Sequence, residues 1–343
     1  MKRYLIPGII LFVCAALATA QAGKGGNYPE PKLLNTGLGV AADLTPTDKE
    51  IAAARQRLEK ENSFIGIIAI TYSTEYHATV AESAENAAKK LGLPVRTFDS
   101  DLKVDKQINA IESFTASGAS AVIIGLFDPP SVRSALADAA KKGVMIVQYA
   151  GRDVVDLGGV SISIEDADLG YAAGEYAGKL IAKEMAGKAR VAILDYPDLP
   201  NVVVRAQNIA KALMKEAPGA QIVGNYLGGT PENGLKSMES ALQAHPDINV
   251  VASINDAGAF GALKALQNAG RTADNTIIVG IDAEKQALEY IRNGTMYRGT
   301  IDTAPATTGA LAVNAVVKLL AGGTLPQRVR VPVNLITREN VGK

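Results

Sequence analysis

The chain has no tryptophan, one cysteine and two histidines among 343 residues. One cysteine excludes an intrachain disulfide, a zinc finger and a CxxC redox centre. Two histidines leave little for a histidine-based metal site. Aromatic residues make up only 5% of the chain, so any ring that stacks on a ligand has to come from 11 tyrosines, 6 phenylalanines or a histidine. Excess charge is also missing: 35 basic and 35 acidic residues balance. That balance argues against a nucleic-acid coat or a polybasic membrane binder. No G-x-S-x-G elbow, P-loop or HExxH occurs, so no familiar catalytic motif is written into the sequence.

What is present begins with a leader. Residues 1–22 read as a secretory signal: Lys2 and Arg3 at the start, an apolar run from Leu5 to Leu17, then Ala18-Thr19-Ala20. The run is short for a bilayer span, and A-x-A is a cleavage pattern. An uncleaved anchor is the alternative, disfavoured because no stop-transfer pattern follows. Cys14 does not fit a lipid-modified cysteine, because Val13 rather than a small residue precedes it. A cut after Ala20 removes Cys14, Lys2 and Arg3; it leaves 33 basic against 35 acidic groups, a net charge of −2. The exported chain is then cysteine-free and mildly acidic.

Residues 21–46 are rich in Gly, Pro, Asn and Thr and read as a linker or tether. Gly37-Leu38-Gly39-Val40-Ala41-Ala42 matches GxGxxA. A dinucleotide fingerprint needs a strand before it and a helix after it; here Pro29 and Pro31 lie upstream and no strand is expected before it. Thr47-Asp48-Lys49-Glu50 is a capping box that predicts a short helix to about Glu61.

From Ser63 a rhythm sets in. β-Branched runs at Phe64–Ile70, Val95–Asp99, Ala121–Gly125, Val144–Gln148 and Val160–Ile164 alternate with amphipathic segments. A second series follows at Arg190–Leu194, Gln221–Tyr226, Val250–Ile254, Thr276–Ile281 and Arg298–Ile301. In Glu75–Leu91, the residues Val80, Ala84, Ala87, Ala88 and Leu91 share a helix face. Gly92, Gly118, Gly143, Gly187 and Gly270 stand where helices end. Strand–helix alternation of this kind means parallel sheets covered by helices on both faces. About ten strands suit two similar halves better than one sheet. The fold class is therefore α/β, with two Rossmann-like lobes.

Ligands of open parallel sheets bind beyond the carboxyl ends of the strands. Those tips carry Tyr72, Ser73, Tyr76 and His77 after the first run, Phe127 after the third, and Tyr149 and Arg152 after the fourth. In the second series they carry Asp195 and Tyr196, Asn255 and Asp256, Asp282, and Asp302 with Thr303. Few are cationic. Carboxylates, amides and rings in this mixture suit a neutral polyhydroxylated ligand. Arg205, near the start of a helix beginning about Asn201, opposes the macrodipole, which favours a functional reason for it. Asn255 and Asp282 could instead cap the helices that follow them. The Gly170, Gly174 and Gly178 spacing reads as close helix packing rather than a site.

From Ser63 to Thr337 the sequence resembles the type I periplasmic binding proteins, in the sugar-binding group typified by ribose-binding protein. The resemblance rests on Ala252-Ser253-Ile254-Asn255-Asp256 with the Gly258–Gly270 helix, and on Ile278-Val279-Gly280-Ile281-Asp282. It rests also on Asp166-Ala167-Asp168-Leu169-Gly170, and on Arg205 within Val204–Ile209. It implies two lobes joined by a three-strand hinge, crossing near Ser163, Thr303 and Asn334. The implied division is signal peptide 1–22, N-terminal extension 23–62, first lobe 63–163 plus 304–334, and second lobe 164–303 plus 335–343. It implies sugar-hydroxyl contacts from Arg205, Asn255 and Asp282, and stacking from Tyr76 and His77. Two departures stand out. The family's Asp-Arg pair after the fourth strand reads Ala150-Gly151-Arg152-Asp153, and Thr303 stands where ribose binders carry Gln. Both put ribose itself in doubt. The implied function is periplasmic capture of a sugar or sugar-like molecule by a monomer, for delivery to the membrane permease of an ABC transporter. An exported sensor feeding a chemoreceptor or sensor kinase is the alternative. A Rossmann-type enzyme ranks below both, no cofactor or metal is expected, and a sugar-sensing transcription regulator would need a DNA-binding segment where the leader stands.

Overall fold

The computed structural model describes residues 28–198 and 200–342; the leader lies outside them. Two sheets organise the chain. The first has seven strands, all parallel, in the spatial order Gly39–Val40, Arg328–Arg330, Val160–Ser163, Met145–Tyr149, Ala121–Gly125, Ile65–Ala69, Val95–Asp99. The second has six, in the order Asn334–Thr337, Tyr297–Asp302, Ile277–Ile281, Val250–Ser253, Arg190–Asp195, Gln221–Leu227. Only Asn334–Thr337 runs antiparallel to its neighbour.

The central strands are buried throughout because helices cover both faces, so they read as unbroken apolar runs rather than alternations. Ile65–Ala69, Ala121–Gly125 and Ile277–Ile281 have no exposed residue. The edge strands Val95–Asp99 and Gln221–Leu227 face solvent in part, which is why arginine, threonine and asparagine are tolerated there. On the first sheet, helices Asp48–Lys60, Glu75–Lys90 and Pro305–Leu320 share one core, while Val104–Ala116 and Pro129–Lys141 close the other face. On the second sheet, Asp166–Glu184 and Pro200–Glu216 cover one face. Pro231–Ala244, Asp256–Asn268 and Lys285–Arg292 cover the other.

The chain passes between the sheets three times: from Ser163 into the helix Asp166–Glu184, from Asp302 into Pro305–Leu320, and from Arg330 to Asn334. All ten expected strand runs are present within a residue or two of their expected bounds, and the five glycines expected at helix ends all have positive φ. Glycine suits that left-handed cap because it carries no Cβ.

The segment expected to be a linker is different. Lys32–Leu34 pairs with Thr324–Pro326, and Gly39–Val40 adds an edge strand beside Arg328–Arg330. Leu44 and Leu58 are fully buried in the first core. The capping box forms as expected: Glu50 N donates to Thr47 Oγ1 at 3.3 Å, and Thr47 N donates to Glu50 Oε2 at 2.7 Å. Lys318 then pairs with Glu50 at 3.2 Å and ties the new helix to Pro305–Leu320. Two strand pairings and the burial of Leu44 order a stretch whose composition alone suggests none. Gly39 of the GxGxxA stretch serves packing, since a Cβ there would strike the Pro326 ring.

Candidate functional site

A cleft of about 970 Å³ lies between the two sheets, at the carboxyl ends of their strands. Two of the three crossings form part of its wall, through Ser163, Ile164 and Glu165 and through Asp302, Thr303 and Pro305.

The second-sheet wall is built on a helix pair. A Cβ on Gly170 would run into the backbone carbonyl of Arg205, and one on Gly174 into that of Ile209. The glycines therefore let the helices Asp166–Glu184 and Pro200–Glu216 approach backbone to backbone, as their spacing indicated. Asp166 stands one turn before Gly170, so the same approach brings Arg205 to it. Arg205 Nε donates to Asp166 Oδ1 at 2.6 Å, and its Nη1 donates to the Ile254 carbonyl at 3.2 Å and lies 3.8 Å from Asp282 Oδ1. Arg205 is thus a fixed cation between two carboxylates, and its side chain is only 17% exposed.

Asp282 sits on a strained turn. Its φ is +120° and that of Ala283 is +56°, where residues with a side chain are uncommon. Asp256, fully buried, holds the turn from beneath. Its Oδ1 accepts from Tyr297 Oη at 2.6 Å and Thr300 Oγ1 at 2.8 Å, and its Oδ2 accepts from Glu284 N at 2.8 Å. Thr300 Oγ1 also accepts from Ala283 N at 3.1 Å. Gly280 is required here, because a Cβ would overlap Tyr297 Oη and Asp256 Oδ1. Burial pushes the Asp282 carboxyl up to about 7; Arg205 pulls it down and Glu284 pushes it up. Burial, then the charge of Asp282, hold Asp256 well above the usual carboxylate range.

The first-sheet wall carries rings. Tyr76 and His77 occupy the first turn of Glu75–Lys90, with ring centroids 5.1 Å apart edge to face. Burial raises Tyr76 to about 12, and its hydroxyl is hydrogen-bonded with Thr308. Burial lowers His77 to about 4, so its ring is neutral at physiological pH, and its enclosed Nδ1 has no hydrogen-bond partner. The loop Ala150–Asp153 turns through Ala150 at φ +55° and Gly151 at +152°. Buried Gln148 braces that loop, donating to Asp153 Oδ2 at 2.8 Å and accepting from Val154 N at 3.1 Å. Arg152 reaches the crossing and pairs with Glu165.

Of the expected site residues, the structure brings Tyr76, His77, Arg152, Arg205, Asp282 and Thr303 to this cleft. It places four elsewhere. Tyr72 is exposed and bonded to Thr97 on the neighbouring edge strand. The Ser73 hydroxyl is bonded to that of Thr71. Phe127 is exposed, and its backbone N–H donates to Gln107 Oε1 at 3.1 Å. Asn255 caps its own helix, with Oδ1 accepting from Gly258 N at 3.0 Å and Nδ2 donating to the Gly229 carbonyl at 2.9 Å. Carboxylates that were not among the expected ligand contacts also line the cleft: Glu75, Asp153, Glu165, Asp166, Glu284 and Asp302. Asp166 had a signal, because an arginine near a helix start asks for a nearby anion. Among the described residues, no group of three His, Cys, Asp or Glu side chains is placed to hold a metal ion, and no helix is long and apolar enough to cross a membrane.

Two sheets, three crossings and a cleft between the strand ends define a hinged binding protein. The chain belongs to the periplasmic binding protein domain family, whose model matches residues 65–324. It is 27% identical over 287 residues to a ribose import binding protein of Bacillus subtilis, covering 82% of this chain and 89% of that one. It is 25% identical to a D-apiose import binding protein of Paraburkholderia graminis, covering 82% and 89%. A periplasmic solute-binding protein of an ABC transporter from Actinobacillus succinogenes, solved with bound D-allose, superposes with a TM-score of 0.69 at 25% identity, covering 81% of this chain and 99% of that one.

Proposed function

We propose that this chain is the extracytoplasmic solute-binding component of an ABC importer, and that it captures a sugar or sugar-like polyhydroxylated molecule between its lobes. The observation that carries the reading is Arg205, held between Asp166 and Asp282 on one wall and facing the ring-bearing wall of Tyr76 and His77. A guanidinium and carboxylates offer donors and acceptors to hydroxyls, and rings cover the apolar face of a sugar. Family membership and the named import relatives support the same reading.

Residues 63–163 with 304–334 form one lobe, and 164–303 with 335–343 the other. They hinge at the three crossings, and the ligand stabilises the closed form. The closed form docks on the membrane permease; the protein does no chemistry on its cargo. The leader directs export and is then cleaved, so the exported chain starts near Gln21, which N-terminal sequencing of the secreted protein checks. Arg205, Asp282, Tyr76, His77, Arg152 and Thr303 contact the ligand.

A thermal-shift screen of pentoses, hexoses, polyols, sugar acids, nucleosides and furanosyl signals tests the reading. A ligand at about 100 times its Kd adds roughly 2.7 kcal/mol of stability. No shift with any class overturns it.

A further inference from the structure

The walls of the cleft are not electrically balanced. Seven carboxylates and two guanidinium groups line it, and no lysine does. Both guanidinium groups are already committed: Arg205 to Asp166 and Asp282, and Arg152 to Glu165. Glu75 has Lys285 3.3 Å away. Asp153, Glu284 and Asp302 then form no ion pair within 4 Å among the described residues, and only Asp153 has a cation near, Arg133 outside the cleft lining. We propose that the ligand carries a positively charged amino group among its hydroxyls, as an amino sugar or amino polyol does. The proposal rests on the reading of this cleft as the site of a sugar-type binding protein, and it names the chemical class within it.

A hydroxyl donates one hydrogen bond to a carboxylate and leaves the full negative charge behind. Enclosing such charges beside a neutral ligand strips their water with only partial compensation. An ammonium brings three donors and one positive charge, and charge-assisted bonds are the stronger kind. A bare cation is a poorer match, since among the described residues the acidic groups do not converge as metal ligands do. An anionic sugar acid meets repulsion from every wall. The acceptor Oε1 of Glu165 is enclosed and receives no hydrogen bond, so a donor is missing at that point of the lining.

The state of the carboxyls agrees. Burial lifts Asp282, Glu284 and Asp302, and like charges nearby add to the lift at the first two. The charged and titratable groups around Asp282 are Arg205, Glu284, Asp166, Asp256 and Tyr76; Arg205 is the single cation among them. A bound ammonium would lower these carboxyls and release protons, so its affinity rises with pH from 5.5 to 7.5.

The test uses the exported chain and ligand pairs that differ only by an ammonium in place of a hydroxyl: D-glucosamine and D-glucose, D-galactosamine and D-galactose, D-mannosamine and D-mannose, 3-amino-3-deoxy-D-ribose and D-ribose. Calorimetry at pH 7.5 and 5.5 gives the ratio of dissociation constants within each pair. At pH 7.5 the amine of at least one pair binds tighter than its twin by about tenfold or more, a gap of about 1.4 kcal/mol. That lead shrinks at pH 5.5, on N-acetylation of the amine, and in Glu284→Gln. If the hydroxyl twins bind as tightly as the amines, the proposal falls while the sugar-type reading stands. If the lead survives both N-acetylation and Glu284→Gln, charge is not its cause and the proposal falls. If no member of any pair binds, the proposal falls, and the wider thermal-shift screen decides the sugar-type reading separately.

Discussion

The two walls of the cleft are made in different ways. The second-sheet wall is a charged network fixed before any ligand arrives. Glycine-mediated helix contact delivers Arg205 to Asp166, and buried Asp256 holds the strained turn that carries Asp282. The first-sheet wall is two rings on a helix start and a loop braced by Gln148. Polar recognition is directional, so it needs fixed atoms; ring contact is broad and tolerates small shifts. The difference predicts that damage to the second wall costs affinity out of proportion to stability, and damage to the first does not.

Arg205→Ala breaks the comparison most severely. It leaves Asp166 and Asp282 without their cation, but both side chains keep about a quarter of their exposure, so water screens the loss and the stability cost stays at about 1 kcal/mol. Affinity for the ligand found in the screen falls by at least about a hundredfold. Circular dichroism of the ligand-free protein stays native. Retained affinity by calorimetry would show that the second wall is not the recognising one.

Gly170→Ala and Gly309→Ala come next, as a matched pair. A Cβ at Gly170 meets the Arg205 carbonyl, and one at Gly309 meets the Val80 carbonyl in the first lobe. Overpacking of this kind costs about 1–3 kcal/mol in each case. Both variants lower Tm by a similar amount. Only Gly170→Ala also weakens binding by about tenfold or more, because the helix it displaces carries Arg205. Equal affinity losses in the two would erase the distinction between the walls.

The sequence made this architecture legible where burial dominates. Fully covered parallel strands have to be β-branched runs, so Ile65–Ala69 and Ile277–Ile281 announce themselves. The strands Lys32–Leu34, Gly39–Val40, Thr324–Pro326, Arg328–Arg330 and Asn334–Thr337 escaped notice. They are two to four residues long, several carry charge or proline, and their partners are set by tertiary contact. In the site, Arg205 was visible because a cation near a helix start is locally unfavourable. Its partner Asp166 lies 39 residues away and is joined to it only by the helix approach. Asn255 shows the reverse: a strand-tip amide looks ligand-directed, yet both ends of it are taken by backbone partners.

pH separates the walls with opposite signs. Asp282 in the folded chain titrates near 7, above its ordinary 3.8, so the folded state holds that proton more tightly. Its contribution makes stability fall as pH rises through that window and stay level above it. His77 titrates near 4, below its ordinary 6.5, so the unfolded state takes the proton first. Its contribution makes stability rise as pH climbs from 4 to 6.5 and stay full above. Urea midpoints measured from pH 4 to 8 therefore change shape in opposite directions. Asp282→Asn removes that residue's share of the falling component, to which Asp256, Glu284 and Asp302 also add, and His77→Gln removes the rising share of His77. An unchanged profile in either variant would deny that residue its burial effect.

The smallest effect is expected where the lobes meet in solvent. Lys285, next to the strained turn of the second lobe, pairs at 3.3 Å with Glu75, at the start of the helix that carries Tyr76. This contact belongs to neither wall alone, and the lysine side chain is 83% exposed. Exposed pairs contribute about 0–1 kcal/mol because water and salt screen them and long side chains resist ordering. Lys285→Ala should therefore speed ligand release about twofold to fivefold at low salt, by stopped-flow, and Tm should not move measurably. The acceleration disappears near 1 M salt, where the screening length is about 3 Å. An acceleration of tenfold or more that persists in salt would mean that the rim governs closure, with the fixed network around Arg205 secondary to it.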